Sequence, residues 1–351
     1  SGWDGWYFFV IPDDRTLPVK MFRASIMTGL YGLEGIDNYE KLSLRLDSRE
    51  GMEVLSLAPT ETRGGGGALR RNHLSQQYLP RKTDLRLQPE PLAVEVAGTD
   101  PDRDDLRRTF ARIAGRWPDY RFEFTNAESQ IACSFDYRGQ KLLWWADIPG
   151  VFTYFAAIGS LEGAITYLRG AGSANAHGLS GTAETFAVRG YGCFEHGFAR
   201  KVFDFDPLFA PVRLLKRVVP SWKPVRYHYE LFMGDEGVRG GFMHARGFGI
   251  DWRNLGGIHS GDGYTAIRSV RIRYSGETEV MVNGSGESTF EVPRSWQVKA
   301  RTDRGELVYT ARRDFPPSTV ADNMTYYTFT YEGALAGSPL RGRGYGEYVH
   351  L

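Results

Sequence analysis

The residues best suited to do chemistry stand side by side at Glu195 and His196. A carboxylic acid can give up a proton near neutral pH if burial raises its pKa, and an adjacent imidazole can share or relay that proton. Successive side chains of a strand face opposite ways, so both groups reach one cavity only across a bulge, which Gly190, Gly192 and Gly197 favour. The structural alternative is a buried His–carboxylate pair that ties down the end of the first half. Asp147 is the second candidate. It follows an apolar, aromatic run at 142–146, where an acid would lose its water; its bland role is a turn residue before Pro149. Tyr191, Trp144, Trp145, Phe155 and Tyr345 can line a cavity for an apolar molecule or serve as ordinary core. Glu347 and His350 are a second, degenerate acid–imidazole site or simply part of a last strand.

Other chemistries find no foothold. His73, His228, His244 and His259 show no ligand spacing with one another, so neither a metal nor a cofactor is expected. The two cysteines, Cys133 and Cys193, make no disulfide framework or metal motif and read as small core residues. No nucleophile elbow, phosphate loop or dinucleotide fingerprint is present. Residues 62–68 hold four consecutive glycines but no following Gly-Lys-Ser/Thr, and read as a loop. There are 43 basic and 42 acidic residues, net charge +1, which argues against a nucleic-acid partner. No stretch approaches the ~18 apolar residues of a membrane span. A cytoplasmic setting is expected, with peripheral membrane contact left open.

The elements that must carry these residues are strands. Aromatic content is 14% of 351 residues, and 42 are glycine. Aromatic side chains suit pleated surfaces, and glycines supply turns and bulges. Strand grammar opens at 6–11 and 19–26 around a Pro/Asp turn, and recurs at 41–46, 53–57, 84–87 and 92–96. It continues at 120–125, 130–137, 140–145, 153–158, 163–168 and 185–191. The tripeptide at 137–139 reads as a hairpin tip. One helix is expected over 102–116, with Pro101 in its first turn and Leu106, Phe110 and Ile113 on one face. Residues 204–224 carry four prolines and break the pattern. Strands then resume from 226 to the end.

The second half echoes the first. Arg189-Gly190-Tyr191-Gly192 precedes His196, and Arg343-Gly344-Tyr345-Gly346 precedes His350, each His four residues after the last glycine. The aromatic opening 6–14 matches 227–235, and the turn at Arg138-Gly139 parallels Arg304-Gly305. A duplication follows: an N-terminal domain at 1–203, a Pro-rich connector at 204–224 and a C-terminal domain at 225–351. Each half would be a meander of roughly eight to ten strands, which closure turns into a barrel without edges.

The paired closures, the aromatic first strand, and Gly190-Tyr191 followed by Glu195-His196-Gly197-Phe198 resemble the tandem lipocalin-like superfamily. That group holds carotenoid 1,2-hydratases, AttH-like proteins, kievitone-type hydratases and decalin-forming Diels–Alderases. Two departures stand out: Glu195 replaces the usual Asp, and an aromatic follows Gly197 where the family has Trp before it. The resemblance implies an all-β fold of two tandem lipocalin-like antiparallel barrels, with the one helix inserted in the first half. It also implies a lyase- or isomerase-type enzyme, a hydratase, dehydratase or cyclase acting on an apolar isoprenoid or polyketide-like molecule. Such an enzyme protonates a C=C bond, with aromatic faces steadying the cation, or holds a reactive geometry by shape alone. The alternative is a non-catalytic carrier or sensor of a hydrophobic ligand, since one fold hosts unlike functions.

Overall fold

A computed structural model describes residues 2–14, 16–17, 19–28, 39–48, 51–56, 60–61, 69–73, 92–98, 110–126, 131–148, 152–169, 182–200, 225–247, 250–261, 263–282, 289–314, 318–321 and 324–350. The expected connector at 204–224, the glycine loop at 62–68 and the expected strand at 84–87 lie outside these residues. The chain divides into two compact units, 1–49 with 55–202, and 50–54 with 203–351.

The strands of the first sheet are β1 (Gly2–Pro12), β2 (Val19–Thr28), β3 (Tyr39–Ser48), β4 (Gly51–Ser56), β5 (Thr60–Glu61), β6 (Leu69–His73), β7 (Leu92–Gly98), β8 (Phe110–Arg116), β9 (Asp119–Asn126), β10 (Ile131–Ile148), β11 (Phe152–Arg169) and β12 (Thr182–Arg200). They form one sheet in the order β4-β3-β2-β1-β12-β11-β10-β9-β8-β7-β6, with β5 on β3. The first strand thus pairs with the last, as the matched opening and closure require. Phe8 of β1 stacks on Phe122 of β9 with centroids 3.8 Å apart. Three strands separate β1 from β9 in the sheet, so the sheet curls over until the two face each other. Phe135, Tyr137 and Phe194 complete this ring-filled core.

The second unit contains β13 (Val225–Gly234), β14 (Arg239–Gly247), β15 (Ile250–Ser260), β16 (Gly263–Val282), β17 (Thr289–Thr302), β18 (Gly305–Arg313), β19 (Ser318–Ala321), β20 (Met324–Leu335) and β21 (Ser338–His350). Sheet order is β18-β17-β16-β15-β14-β13-β21-β20-β19, and a further β18–β20 ladder closes eight of these strands into an antiparallel barrel. Closure removes the exposed edges that an open meander would leave.

Two expectations fail here. Residues 110–116 are a strand, not the end of a helix. Val94 and Phe122 flank Ile113 in the ladder, and Arg112 is exposed where Ile113 is buried. A few apolar residues at helical spacing also fit a strand when partners stand on both sides. The start of that helix, with Leu106, lies outside the described residues. Nor is 137–139 a hairpin tip: β10 runs straight through it, paired to β11 along its whole length, with a bulge between Gly139 and Lys141. Gly139 is needed because the Trp117 ring sits where a Cβ would be, 2.2 Å away. By contrast Arg304-Gly305 does close a hairpin, β17 to β18. No helix among the described residues is long and apolar enough to cross a membrane.

Candidate functional site

Register shows how the two closures correspond. In the first unit Phe8 pairs with Phe194, Val10 with Gly192 and Ile11 with Tyr191. In the second His228 pairs with Tyr348, Glu230 with Gly346 and Leu231 with Tyr345. Tyr7 therefore corresponds to Tyr227, one residue away from the alignment that the aromatic opening suggests. This shift matters because side chains alternate faces with period two. The inward positions held by Phe8 and Val10 in the first unit are held by His228 and Glu230 in the second. Two apolar core positions have become an imidazole and a carboxylate, both essentially fully buried.

The glycines of the repeated motif explain its form. On β21, Gly344 and Gly346 lie on the inward face, where a Cβ would meet the rings of Phe329 and Tyr327 at 2.4 Å and 2.3 Å. Bare backbone at these positions lets the ring of Tyr327 close down beside His228. Tyr345, between the glycines, takes the outward face.

Around His228 and Glu230 the barrel interior gathers hydrogen-bonding groups. His228 Nε2 lies 2.5 Å from Glu230 Oε1. Trp296 Nε1 of β17 donates to the same oxygen, and the Tyr309 hydroxyl of β18 donates to Oε2. Glu230 is thus placed as the acceptor for groups on two other strands, while apolar rings surround it. Tyr327 OH of β20 lies 3.3 Å from His228 Nε2. On the other side of the imidazole, Nδ1 lies 3.1 Å from the hydroxyl of Tyr274 in β16. Tyr274 is 39% exposed, whereas His228 is 1% exposed. The chain Tyr274–His228–Glu230–Tyr309 therefore leads from the surface into the barrel. Burial, reinforced by the nearby Glu230 charge, holds the Tyr309 and Tyr327 hydroxyls far above the ordinary phenol range, so both stay neutral.

Chemically, this is an imidazole oriented by a carboxylate at one nitrogen and linked at the other to a surface hydroxyl. The arrangement can accept a proton, hold it and return it, with Glu230 fixing the ring and compensating its charge. Deeper in, the packed side chains are aliphatic and aromatic: Phe232, Ile258, Leu307, Tyr331 and Leu340.

The sequence-selected residues fall elsewhere. Glu195 is 3% exposed and lies on the face of β12 opposite Phe194, accepting a long hydrogen bond from Cys193 Sγ at 3.6 Å. Tyr191 shares that face. The ladders through 190–197 carry no register shift, so the expected bulge is absent and positions 195 and 196 stay on opposite faces. Backbone pairing puts Trp144 in the row of Ala156, Glu195 and Tyr7, and Trp145, Phe155, His196 and Trp6 in the next. Asp147 belongs to β10, opposite Thr153, within a strand rather than a turn. Tyr345 lies on the outward face of β21, where its hydroxyl donates to Glu347 Oε1 at 2.5 Å and Tyr227 donates to Oε2. Glu347 and Glu195 are not equivalents: by register Glu347 corresponds to Cys193, and Glu195 to Val349.

The spacing His228-x-Glu230 on a strand was the available signal, because residues two apart share a face. The one-residue slip hid it by setting Tyr7 rather than Phe8 against His228. Among the described residues no group of three His, Cys, Asp or Glu side chains could hold a metal ion.

No family model matches the chain, and no curated protein matches it in sequence. Solved structures do. A Nitrosomonas europaea protein described as an AttH superposes with TM-score 0.55 at 11% identity, over 99% of this chain and 92% of its own. Kievitone hydratase from Nectria haematococca superposes with TM-score 0.55 at 10% identity, over 99% of this chain and 88% of its own. At such identities the likeness shows the fold, which is tandem lipocalin-like and all-β.

Proposed function

We propose that this chain is a hydratase- or lyase-type enzyme that adds or removes water across a C=C bond of an apolar, isoprenoid- or polyketide-like molecule. His228 moves the proton, Glu230 orients and balances it, and Tyr274 connects it to solvent. The observation that carries the reading is the exchange of Phe8 and Val10 for His228 and Glu230 at corresponding inward positions of the two units. Replacing apolar core by a buried ionisable pair is seldom favourable for stability, so the pair has another use. The kievitone hydratase likeness is consistent with this reaction class, through fold alone.

In the reaction, the imidazolium form of His228 delivers its proton to one alkene carbon while aromatic rings face the developing cation. Water then bonds the adjacent carbon, and its surplus proton returns to the imidazole. Dehydration is the same path reversed.

The test is incubation with a panel of apolar alkenes in heavy-oxygen water, followed by mass spectrometry. Oxygen incorporation is expected in wild type, and H228Q and E230Q should lower its rate about a hundredfold or more. Full activity in both variants ends this assignment. The first unit favours a second reading. Among the described residues its core of Phe8, Phe122, Phe135, Tyr137 and Phe194 holds phenol and thiol groups but no carboxylate or imidazole, as a carrier of an apolar ligand would have it. Tight ligand binding by wild type with no turnover of any panel member would favour that carrier.

A further inference from the structure

Arg313 ends β18 and is the one cation in the inward phase of that strand, following Leu307, Tyr309 and Ala311 on the same face. Its side chain is 3% exposed. One arm is engaged: Nη2 donates to Glu279 Oε2 at 2.6 Å. Among the described residues Nη1 is buried with no hydrogen-bond partner. Glu279 reaches this place through a bulge. The β16–β17 register shifts between Ser275 and Thr278, which brings Glu279 opposite inward-facing Val292. Its carboxylate is not reserved for Arg313, since Arg294 Nε also lies 3.9 Å from Oε2. A guanidinium has five donors and a forked shape that fits a carboxylate with two parallel hydrogen bonds. Here Glu279 occupies one nitrogen and leaves the other buried without a partner among the described residues. A buried donor in that state is costly unless something occupies it.

Position ties this group to the acid–base pair. Tyr327, whose hydroxyl lies 3.3 Å from His228 Nε2, also feels the Arg313 charge. Tyr274 and Glu279, on the same strand as the bulge, are the partly exposed members of the set. The barrel interior that holds His228 thus holds a fixed cation as well.

We propose that Arg313 binds the carboxylate of an otherwise apolar ligand, so that the substrate class is an amphiphile with one anionic end. This rests on the acid–base reading for its site but not for its test. Binding is measured by titration calorimetry on the full chain, with dodecanoate and dodecanol as probes of equal chain length. Wild type is expected to bind dodecanoate at least tenfold more tightly than dodecanol, and R313Q to bind the two equally. E279Q, which removes the competing carboxylate, should widen the preference, and it serves if R313Q does not fold. H228Q and E230Q should keep the preference while losing turnover. Equal binding of both probes by wild type overturns the proposal, as does a preference that survives in folded R313Q or shrinks in E279Q. Failure of both probes to bind overturns it too. Preference without any turnover would leave Arg313 as the ligand's anchor and remove the enzymatic reading instead.

Discussion

Replacing Glu230 with Val imports the residue of the first unit at the corresponding position, and the structure sets its cost. Glu230 accepts from His228, Trp296 and Tyr309, all within the barrel. Valine removes that acceptor and leaves the donors buried. Each orphaned donor costs about 1–3 kcal/mol. Breaking a buried pair by removing one member costs about 3–5 kcal/mol, which serves as the better joint figure because the losses overlap. At roughly 2–4 °C per kcal/mol for a unit of this size, the melting transition should fall by about 6–20 °C. Glu230→Gln keeps the volume and an acceptor oxygen, so about 1–2 kcal/mol is expected. The decisive comparison adds Tyr309→Phe. In wild type it removes a hydrogen bond to a carboxylate and costs about 1.5–3 kcal/mol. In the Glu230→Val background it removes an orphan and costs nothing or stabilises. The coupling should therefore be about 2 kcal/mol. Scanning calorimetry of the full chain, with denaturant unfolding followed by tryptophan fluorescence, measures all four corners of the cycle. Tyr309→Phe costing the same in both backgrounds would show that Glu230 is not the acceptor holding this network together.

Other outcomes follow from the same structure. Gly346→Ala puts a methyl group where the Tyr327 ring now lies, so it should lower activity and melting temperature together, as enzyme assay and calorimetry would show. Burial raises the Tyr137, Tyr309 and Tyr327 phenols, so the stability they contribute is complete below the unfolded value of ~10 and declines as pH rises above it. Absorbance titration should show these hydroxyls ionising only with unfolding. The Cys133 thiol, also pushed up by burial, and buried Cys193 should resist thiol reagents until denaturant is added; rapid labelling of the native chain would contradict their placement. Asp303 is held below its ordinary value by hydrogen bonding to Arg268. Any stability it lends is present above the unfolded carboxylate value and lost as pH falls through the lower folded one. Both groups are exposed, so D303N should change stability little, and less still in high salt.

Much of the fold could be read from residues because strands buried on both faces leave an unmistakable record. Residues 8–11 and 229–232 are runs of large apolar or aromatic side chains, broken only by Glu230, and they pair with the Arg-Gly-Tyr-Gly closures. Glycine recurs there because rings and backbone of neighbouring strands occupy the space of a side chain. The repeat is thus a record of packing, which local sequence can carry. The expected helix failed for the opposite reason. Hydrogen-bonding partners on β7 and β9 decide the state of residues 110–116, and no helical spacing within the segment can register them.

The site was less legible. Glu195 next to His196 looks like a catalytic pair in one dimension, but an unbroken ladder sends adjacent residues to opposite faces. His228 and Glu230, separated by Tyr229, look unrelated in the sequence until strand alternation puts them on one face. Trp296, Tyr309, Tyr327 and Arg313 come from three further strands, and only barrel closure through β18 and β20 collects them. By itself the sequence determined strand content, the duplication and the closures, because these depend on alternation and on glycine at fixed spacing. The tertiary structure decided which polar groups meet, because a hydrogen-bonded network is set by register across strands, and a shift of one residue turns every side chain to the other face.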